Sequence, residues 1–364
     1  MESLMSKTID LKHFGYIESE PPPEGVLPGR VAAVHKERYE LISPTGSVYG
    51  KLKTGIYYGQ SSETFPATGD FIWFSPVPGG DCQIIRTLQR KSQFIRRDPH
   101  AGNQTVAANM DYVFIMTSLN RDFSVRRVRR YLVLTNQSGA IPVVILTKAD
   151  LAGDLESQVA AMRDAAGDAD VVPVSVISGE GLDRLSKYLT PGKTVVFLGM
   201  SGVGKSSLLN TLMGQDVMTV NDIREDDSRG RHTTTHRQLF MLPPQAGASS
   251  GAMIIDTPGM RSIGMWDAED GVSETFADLE SLLGTCRFSD CRHQTEPGCA
   301  ILSAINSGEL SAARWAEYNN LKREALYSVD RTAALQEKWA RNKAIAKWSR
   351  QRKKNGGFKS QRDA

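Results

Sequence analysis

Residues Gly199–Ser207 read GMSGVGKSS, and residues 146–150, well before them in the chain, read LTKAD. The first stretch fits G-x-x-x-x-G-K-[ST] from Gly199 to Ser206. The apolar run Thr194 to Leu198 before it and SSLLNTLMG after it supply the strand and helix that this motif requires. Glycines let backbone N–H groups turn inward onto phosphate oxygens, and the helix N-terminus adds partial positive charge. Gly199, Met200, Ser201, Gly202, Val203, Gly204, Lys205, Ser206 and Ser207 are therefore the expected phosphate cradle. Lys205 is expected to bridge the β- and γ-phosphates, and the Ser206 hydroxyl to ligate Mg²⁺. A TKAD-type element ordinarily follows such a cradle, whereas here it precedes it.

The remaining elements of a guanine-nucleotide site are present in the same altered order. LTKAD ends a buried strand. Asp150 would accept hydrogen bonds from guanine N1–H and N2–H₂, which adenine does not offer, so a site built this way rejects ATP. The Lys148 stem would pack on the base plane, and Thr147 stands where Asn is usual, which weakens one base contact. VSVIS places Ser175 and Val176 in a loop that closes over the base. DTPG (256–259) follows the apolar run AMII: Asp256 is placed to reach Mg²⁺ through water, and the Gly259 N–H to sense a γ-phosphate. GRHTTTH (230–236) follows an acidic stretch, and one of Thr233, Thr234 and Thr235, with Thr234 favoured, should complete the Mg²⁺ shell. In chain order the parts run base, closing loop, phosphate, switch I, switch II. Ligands bind at the carboxyl ends of parallel strands whatever the connection order, and the termini of a compact domain often lie close together, so the permutation is physically tolerable. As a consequence the DTPG segment leads straight into the C-terminal part of the chain, which the γ-phosphate state could then move.

Cys286-x4-Cys291-x-His293-x5-Cys299 offers three thiolates and an imidazole, the donor set of a closed tetrahedral Zn²⁺ site with no open position, hence structural. Clustered Cys beside His in a chain without an apparent export signal reads as metal before disulfide. Cys82 stands apart and is expected to pack as a small apolar group.

Around these motifs the text divides by pattern. The opening residues, with PPPEG, read as a stiff extended approach. From Gly29 to about Ile95, short β-rich runs punctuated by Gly and Pro fit a small barrel. An OB-fold is the natural candidate, although period alone leaves an SH3-like barrel open. From Asn109 on, DYVFIMTS, IPVVILTKAD, VVPVSVIS, KTVVFLGM and AMIIDTPG are apolar runs of the kind that form parallel strands buried on both faces. Helical text such as VRRVRRYLVLTNQ and GLDRLSKYL lies between them, which argues for a doubly wound α/β sheet. After Thr275 the pattern is helical. Apolar residues make up 40% and charged residues 23%, ordinary for a soluble globular chain. No run is long enough to span a membrane and no secretory signal is apparent, so the cytoplasm is the expected compartment. Net charge is +3, yet residues 337–364 carry ten Lys/Arg against two acids, a local +8 that leaves −5 for the rest. A basic tail on a mildly acidic body suggests a polyanionic partner.

Taken together, the β-barrel, TKAD, GMSGVGKSS, GRHTTT, DTPG and the C-x4-C-x-H-x5-C cluster resemble one family, the circularly permuted ribosome-small-subunit-dependent GTPases named RsgA. RKSQFIRR and VAANMDYVFIMTSLN resemble that family's barrel-to-GTPase junction. The resemblance spans residues 29–310. It implies a multidomain chain: an OB-fold RNA-binding barrel (29–100), a circularly permuted α/β P-loop GTPase (101–275) and a zinc-binding helical domain (276–330); an N-terminal extension (1–28) and a basic tail (331–364), which are not diagnostic of the family, are expected to flank them. It implies contact with the small ribosomal subunit and its 16S rRNA, a late role in that subunit's maturation, and hydrolysis of GTP to GDP and phosphate stimulated by the subunit. The residue after DTPG is Met260, and a thioether cannot orient a water as the usual Gln does. Slow intrinsic turnover follows, and by resemblance His232 is the candidate replacement. His13, His35 and His100 are expected at the surface or in packing. Nothing in the text demands a dimer, so a monomer is expected. Two rivals are an RNA-binding assembly factor whose nucleotide site is merely structural, and a P-loop ATPase or kinase. The intact Lys205, Ser206 and Asp256 argue against the first, and Asp150 against the second.

Overall fold

The computed structural model describes residues 8–18, 20–35, 38–57, 62–98, 102–120, 123–217, 237–244, 251–256, 275–288 and 291–323. His100, His232, Thr233, Thr234, Thr235, Gly259, Met260 and the tail 331–364 lie outside the described residues.

Five strands form the N-terminal barrel: β1 (Leu27–His35), β2 (Arg38–Ser43), β3 (Gly46–Leu52), β4 (Phe71–Ser75) and β5 (Cys82–Thr87). They pair in the order β1-β2-β3-β5-β4, and β4 returns to β1 to close the ring. The β3–β5 pair is parallel and the others antiparallel. This closed ring, with a short helix (Thr54–Tyr57) between β3 and β4, is the OB arrangement. Inward residues Val31, Leu41, Ile72, Phe74 and Ile84 fill it, and Cys82 is buried among them. Closure leaves no free sheet edge within the ring.

A hairpin, β6 (Gln93–Asp98) and β7 (Gly102–Ala108), leads to the parallel sheet. Its strands are β8 (Tyr112–Ser118), β9 (Ile141–Thr147), β10 (Asp170–Pro173), β11 (Thr194–Gly199), β12 (Gln238–Met241) and β13 (Met253–Asp256), in spatial order β10-β9-β8-β11-β13-β12. All are parallel except β12, which runs antiparallel to β13. Strict alternation along each strand sorts the core into two faces. Val113, Ile115, Val144, Leu146, Val196 and Leu198 face one way. Phe114, Met116, Val143, Ile145, Val195 and Phe197 face the other. The helix Val125–Ser138, capped by Ser124 and Gly139, and the helix Leu155–Ala166, capped by Asp154, cover the first face. Leu208 and Leu209 of the helix Lys205–Met213 cover the second. GLDRLSKYL forms only a 3-10 turn at Asp183–Leu185 rather than the expected helix, with Leu185, Tyr188 and Leu189 buried on that second face.

The C-terminal elements, the helices Ala277–Leu282 and Ala300–Ser307 and helical residues 312–323, pack on the first face through Phe276, Leu279, Ile301 and Tyr318. Arg129 of the helix Val125–Ser138 reaches across to the Glu317 carboxylate.

Two further features depart from the sequence reading. Barrel and parallel sheet are hydrogen-bonded into one eleven-stranded sheet, because β1 pairs with β12 at Ala33↔Gln238. The N-terminal stretch is not a bare extended approach either. Leu11–Phe14 forms a 3-10 turn capped by Asp10 and by left-handed Gly15, and Leu11 is buried. Gly15 lies so close to the turn before β11 that an added Cβ would come within 2.5 Å of the Gly192 carbonyl oxygen. The Asp10 and Gly15 cap signals were legible in the sequence.

Candidate nucleotide-binding site and metal centre

The carboxyl ends of β9, β10, β11 and β13 open on one edge of the sheet, and each ends in a sequence-predicted motif. From β8 the chain winds to β9 and β10 on one side and then returns to β11 on the other. The crevice at such a reversal is where open α/β sheets bind ligands. The loop Gly199–Gly204 leaves β11 at this reversal and caps the helix Lys205–Met213.

Glycines in that loop answer specific demands. Gly202 and Gly204 have φ of 75° and 99°, a region side chains avoid. A Cβ on Gly199 would meet the Met116 carbonyl oxygen at 2.6 Å. Val203 is buried and anchors the loop, whereas Met200 and Ser201 are exposed. The Lys205 ammonium donates to the carbonyls of Gly199 (2.8 Å) and Met200 (2.6 Å), so it lies across the loop mouth where phosphate charge is expected. Ser206 and Ser207, half-buried, follow in the first helical turn.

The base-side residues are tied to this loop. Thr147 is buried, and its hydroxyl donates to the Val203 carbonyl at 2.6 Å, so the residue that replaces the usual Asn holds the two motifs together. Lys148 is half-buried with φ of 59°, a left-handed kink that turns the chain out of β9. Asp150 is exposed, and it accepts a 2.5 Å hydrogen bond from the fully buried Ser175 hydroxyl. Ser175 Oγ in turn accepts the Ser178 N–H, which fixes the loop. Val176 and Ser207 line one cavity of about 450 Å³. Asp256, half-buried, ends β13 beside β11. A carboxylate there and a helix-start hydroxyl at Ser206 are oxygen donors suited to a hard divalent cation.

Cys286, Cys291, His293 and Cys299 present ligand atoms that all lie within 4.8 Å of one another. Cys286 Sγ is 3.5 Å from His293 Nδ1 and 4.0 Å from Cys299 Sγ, and His293 Nδ1 is 3.4 Å from Cys299 Sγ. Tetrahedral Zn²⁺ with Zn–S near 2.3 Å sets S···S edges of about 3.8 Å, so the cluster fits such an ion. Backbone N–H groups of Ala300 and Leu302 point at Cys286 and Cys299 sulfurs, and the Ala300 N–H holds the Cys286 thiol below its ordinary range. Glu296 accepts the N–H groups of Gln294, Thr295 and Arg292, which drives its carboxyl down to about 2 and shapes the loop. No spacing signal in the sequence marked Glu296 for that part. The His293 ring stands edge-on to Trp315 at 5.5 Å, which ties the cluster to the last helix.

Comparison with known proteins agrees with this geometry. The RsgA GTPase family matches residues 87–266. The small ribosomal subunit biogenesis GTPase RsgA 2 of Listeria monocytogenes is 42% identical over 299 residues, covering 82% of this chain and 84% of that protein. The small ribosomal subunit biogenesis GTPase RsgA of Streptomyces avermitilis is 41% identical over 335 residues, covering 89% of this chain and 88% of that protein. The crystal structure of YjeQ from Thermotoga maritima superposes with a TM-score of 0.62 at 27% identity, covering 83% of this chain and 99% of that one. YloQ, a circularly permuted GTPase, shares the fold with a TM-score of 0.57 at 22% identity. With two-fifths identity sustained over most of both chains, and with the glycine loop, the TKAD segment and the Cys/His cluster all in place, this chain belongs to the RsgA GTPase family.

Proposed function

We propose that this chain binds GTP at the crevice between β8 and β11 and hydrolyses it to GDP and phosphate as a step in late maturation of the small ribosomal subunit. The observation that carries this reading is the joining of Thr147 to Val203 and of Ser175 to Asp150, which couples a guanine reader to a phosphate cradle. Asp150 selects the base, with Lys148, Ser175 and Val176 around it. The N–H groups from Gly199 to Ser207 and the Lys205 ammonium hold the phosphates and take up charge developing on them. Ser206, Asp256 and Thr234 would hold Mg²⁺, which supplies further neutralisation of phosphate charge. Gly259 senses the γ-phosphate. His232 positions the attacking water in place of the Gln that Met260 displaces. The cysteine cluster holds one structural Zn²⁺.

The division into extension, barrel, GTPase, zinc domain and tail, with boundaries near 28, 100, 275 and 330, goes with this proposal. The barrel and tail contact 16S rRNA, and the protein acts as a cytoplasmic monomer. No helix among the described residues is long and apolar enough to cross a membrane.

The test is GTP hydrolysis by the purified chain with and without small ribosomal subunits at fixed salt. ATP and Lys205→Ala serve as controls. Stimulation that requires GTP and Lys205 is expected. A rate that stays near zero while the subunit still binds would replace the proposal with an assembly factor whose nucleotide site is a scaffold.

A further inference from the structure

A cavity of about 450 Å³ lies against the helix Lys205–Met213, with Val176, Ser207, Asn210, Thr211, Gln215 and Asp216 among its lining residues. Two of these belong to the motifs on either side. Val176 follows Ser175, whose hydroxyl is bonded to Asp150 on the base side, and Ser207 closes the GMSGVGKSS run on the phosphate side. In a nucleotide the sugar joins base to phosphate, so a space bounded by one residue of each motif is where the sugar falls. The remaining wall comes from residues 210–216, which belong to neither motif.

That wall is built by the end of the helix. Gly214, left-handed at φ 67°, stops it, and the Gly214 and Gln215 N–H groups return to the Thr211 and Asn210 carbonyls at 3.2 and 3.3 Å. Past the turn, Val217 packs on the core cluster that holds Leu208 and Leu209. Asp216 is thereby brought back onto the helix, where the amide of the buried Asn210 donates to its Oδ1 at 3.2 Å. Asp216 is itself exposed, and among the described residues its carboxylate has no other hydrogen-bond or ion-pair partner. An ionised carboxylate offers about four acceptor positions, so most of its capacity stays open at the cavity wall. The hydroxyls of a ribose are the donors that a nucleotide carries between base and phosphate. A carboxylate on the 2′-hydroxyl is also how dinucleotide sites recognise that sugar.

We propose that this cavity is a ribose subsite and that Asp216 is its specificity-determining residue, accepting hydrogen bonds from the sugar hydroxyls and so selecting ribonucleotides over deoxyribonucleotides. The subsite rests on the guanine-nucleotide reading of the motifs that flank it. Asn210 fixes one carboxylate oxygen with a neutral donor, which leaves the accepting charge in place.

The experiment is calorimetric titration of the full chain with GDP, 2′-deoxy-GDP and 3′-deoxy-GDP, all unlabelled, for wild type, Asp216→Ala and Asp216→Asn. Wild type should bind GDP about 10-fold more tightly than at least one deoxy analogue. Asp216→Ala should lose that preference: its GDP affinity falls to that of the analogue, whose own affinity stays at the wild-type value. Asp216→Asn, whose amide oxygen still accepts, should keep part of the preference. A carboxylate that only locks the helix end would weaken all three ligands equally in Asp216→Ala and leave the ratio unchanged. That result overturns the proposal, as does a wild type that binds all three alike. Both leave the guanine-nucleotide reading standing, because GDP still binds. A wild-type chain that binds none of the three overturns the subsite and that reading together.

Discussion

In the proposed function, Asp150 and Ser175 form the smallest unit that would give the site its selectivity. A carboxylate reads two guanine donors only if it is ionised and correctly turned, and the buried Ser175 hydroxyl turns it. Replacing Asp150 by Asn exchanges an acceptor for a donor at one position. Competition binding should therefore show preference passing from guanine to xanthine nucleotides, with GTP affinity down about 100-fold or more. An unchanged preference would show that TKAD does not read the base. Asp111 makes a second residue-scale prediction, this time about stability. Burial alone would raise its carboxyl, but hydrogen bonds from the Lys91 ammonium, the Thr194 N–H and the Lys193 ammonium outweigh it and hold the group below its ordinary range. A carboxyl with a depressed folded-state pKa stabilises the fold above its unfolded-state value of about 3.9, and that contribution disappears as pH falls through the folded-state value. Asp111→Asn should thus lower the melting temperature at neutral pH, and its difference from wild type should shrink in acid below that range.

Among the elements, the contact between the helix Val125–Ser138 and helical residues 312–323 is the joint that holds the C-terminal elements on the sheet. Its ion pair joins Arg129 to Glu317, both nearly buried, yet Arg129 Nε and Glu317 Oε1 have no hydrogen-bond partner. A buried pair with unmet polar atoms gains little over an apolar contact, but losing one member strands a charge. Glu317→Ala is therefore expected to cost about 3 kcal/mol in chemical denaturation, whereas the double change Arg129→Met with Glu317→Leu should restore most of it. If the double variant were as weak as the single one, the pair would be a net source of stability. The sequence marked these helices through text such as VRRVRRYLVLTNQ and the helical pattern after Thr275, and the structure adds the caps Ser124 and Gly139 of the first of them. It did not mark the ion pair, because two charges distant in sequence carry no local signature of their meeting.

At the scale of the whole molecule, one continuous sheet carries barrel and GTPase together. Arg30 of β1 secures the joint. Its buried guanidinium donates to Thr194 Oγ1 at 2.8 Å and to the carbonyls of Gly69 and Phe14, and lies 2.9 Å from Met253 Sδ. The N-terminal turn, the barrel and the starts of β11 and β13 therefore converge on one side chain. Desolvation pulls its pKa down to about 10, so it remains charged at neutral pH. The C-terminal elements are held differently, by the joint at Arg129 and Glu317, the apolar face and the Cys/His cluster. Cys299 caps the helix Ala300–Ser307 as well as offering a ligand, so losing the metal should release that cap. A strong chelator should release one zinc per chain. Hydrogen exchange should then rise across residues 275–323 while the strands β8, β9 and β11 keep their protection. Uniform loss of protection would show that the metal supports the entire fold.

The chain by itself determined the parts that depend on local spacing: the cradle with its flanking strand and helix, TKAD and VSVIS at strand ends, the C-x4-C-x-H-x5-C donor set and the alternating barrel strands. Those signals survive because glycine conformation, strand period and ligand count act within a few residues. Only the tertiary structure decided how the ring closes through β4 and β1, which separated an OB barrel from other small barrels. It likewise decided that Thr147 reaches Val203 and that the N-terminal residues pack at the joint. These outcomes depend on strand register and on which distant segments share a face, and burial of apolar surface selects among them only once the whole chain is folded.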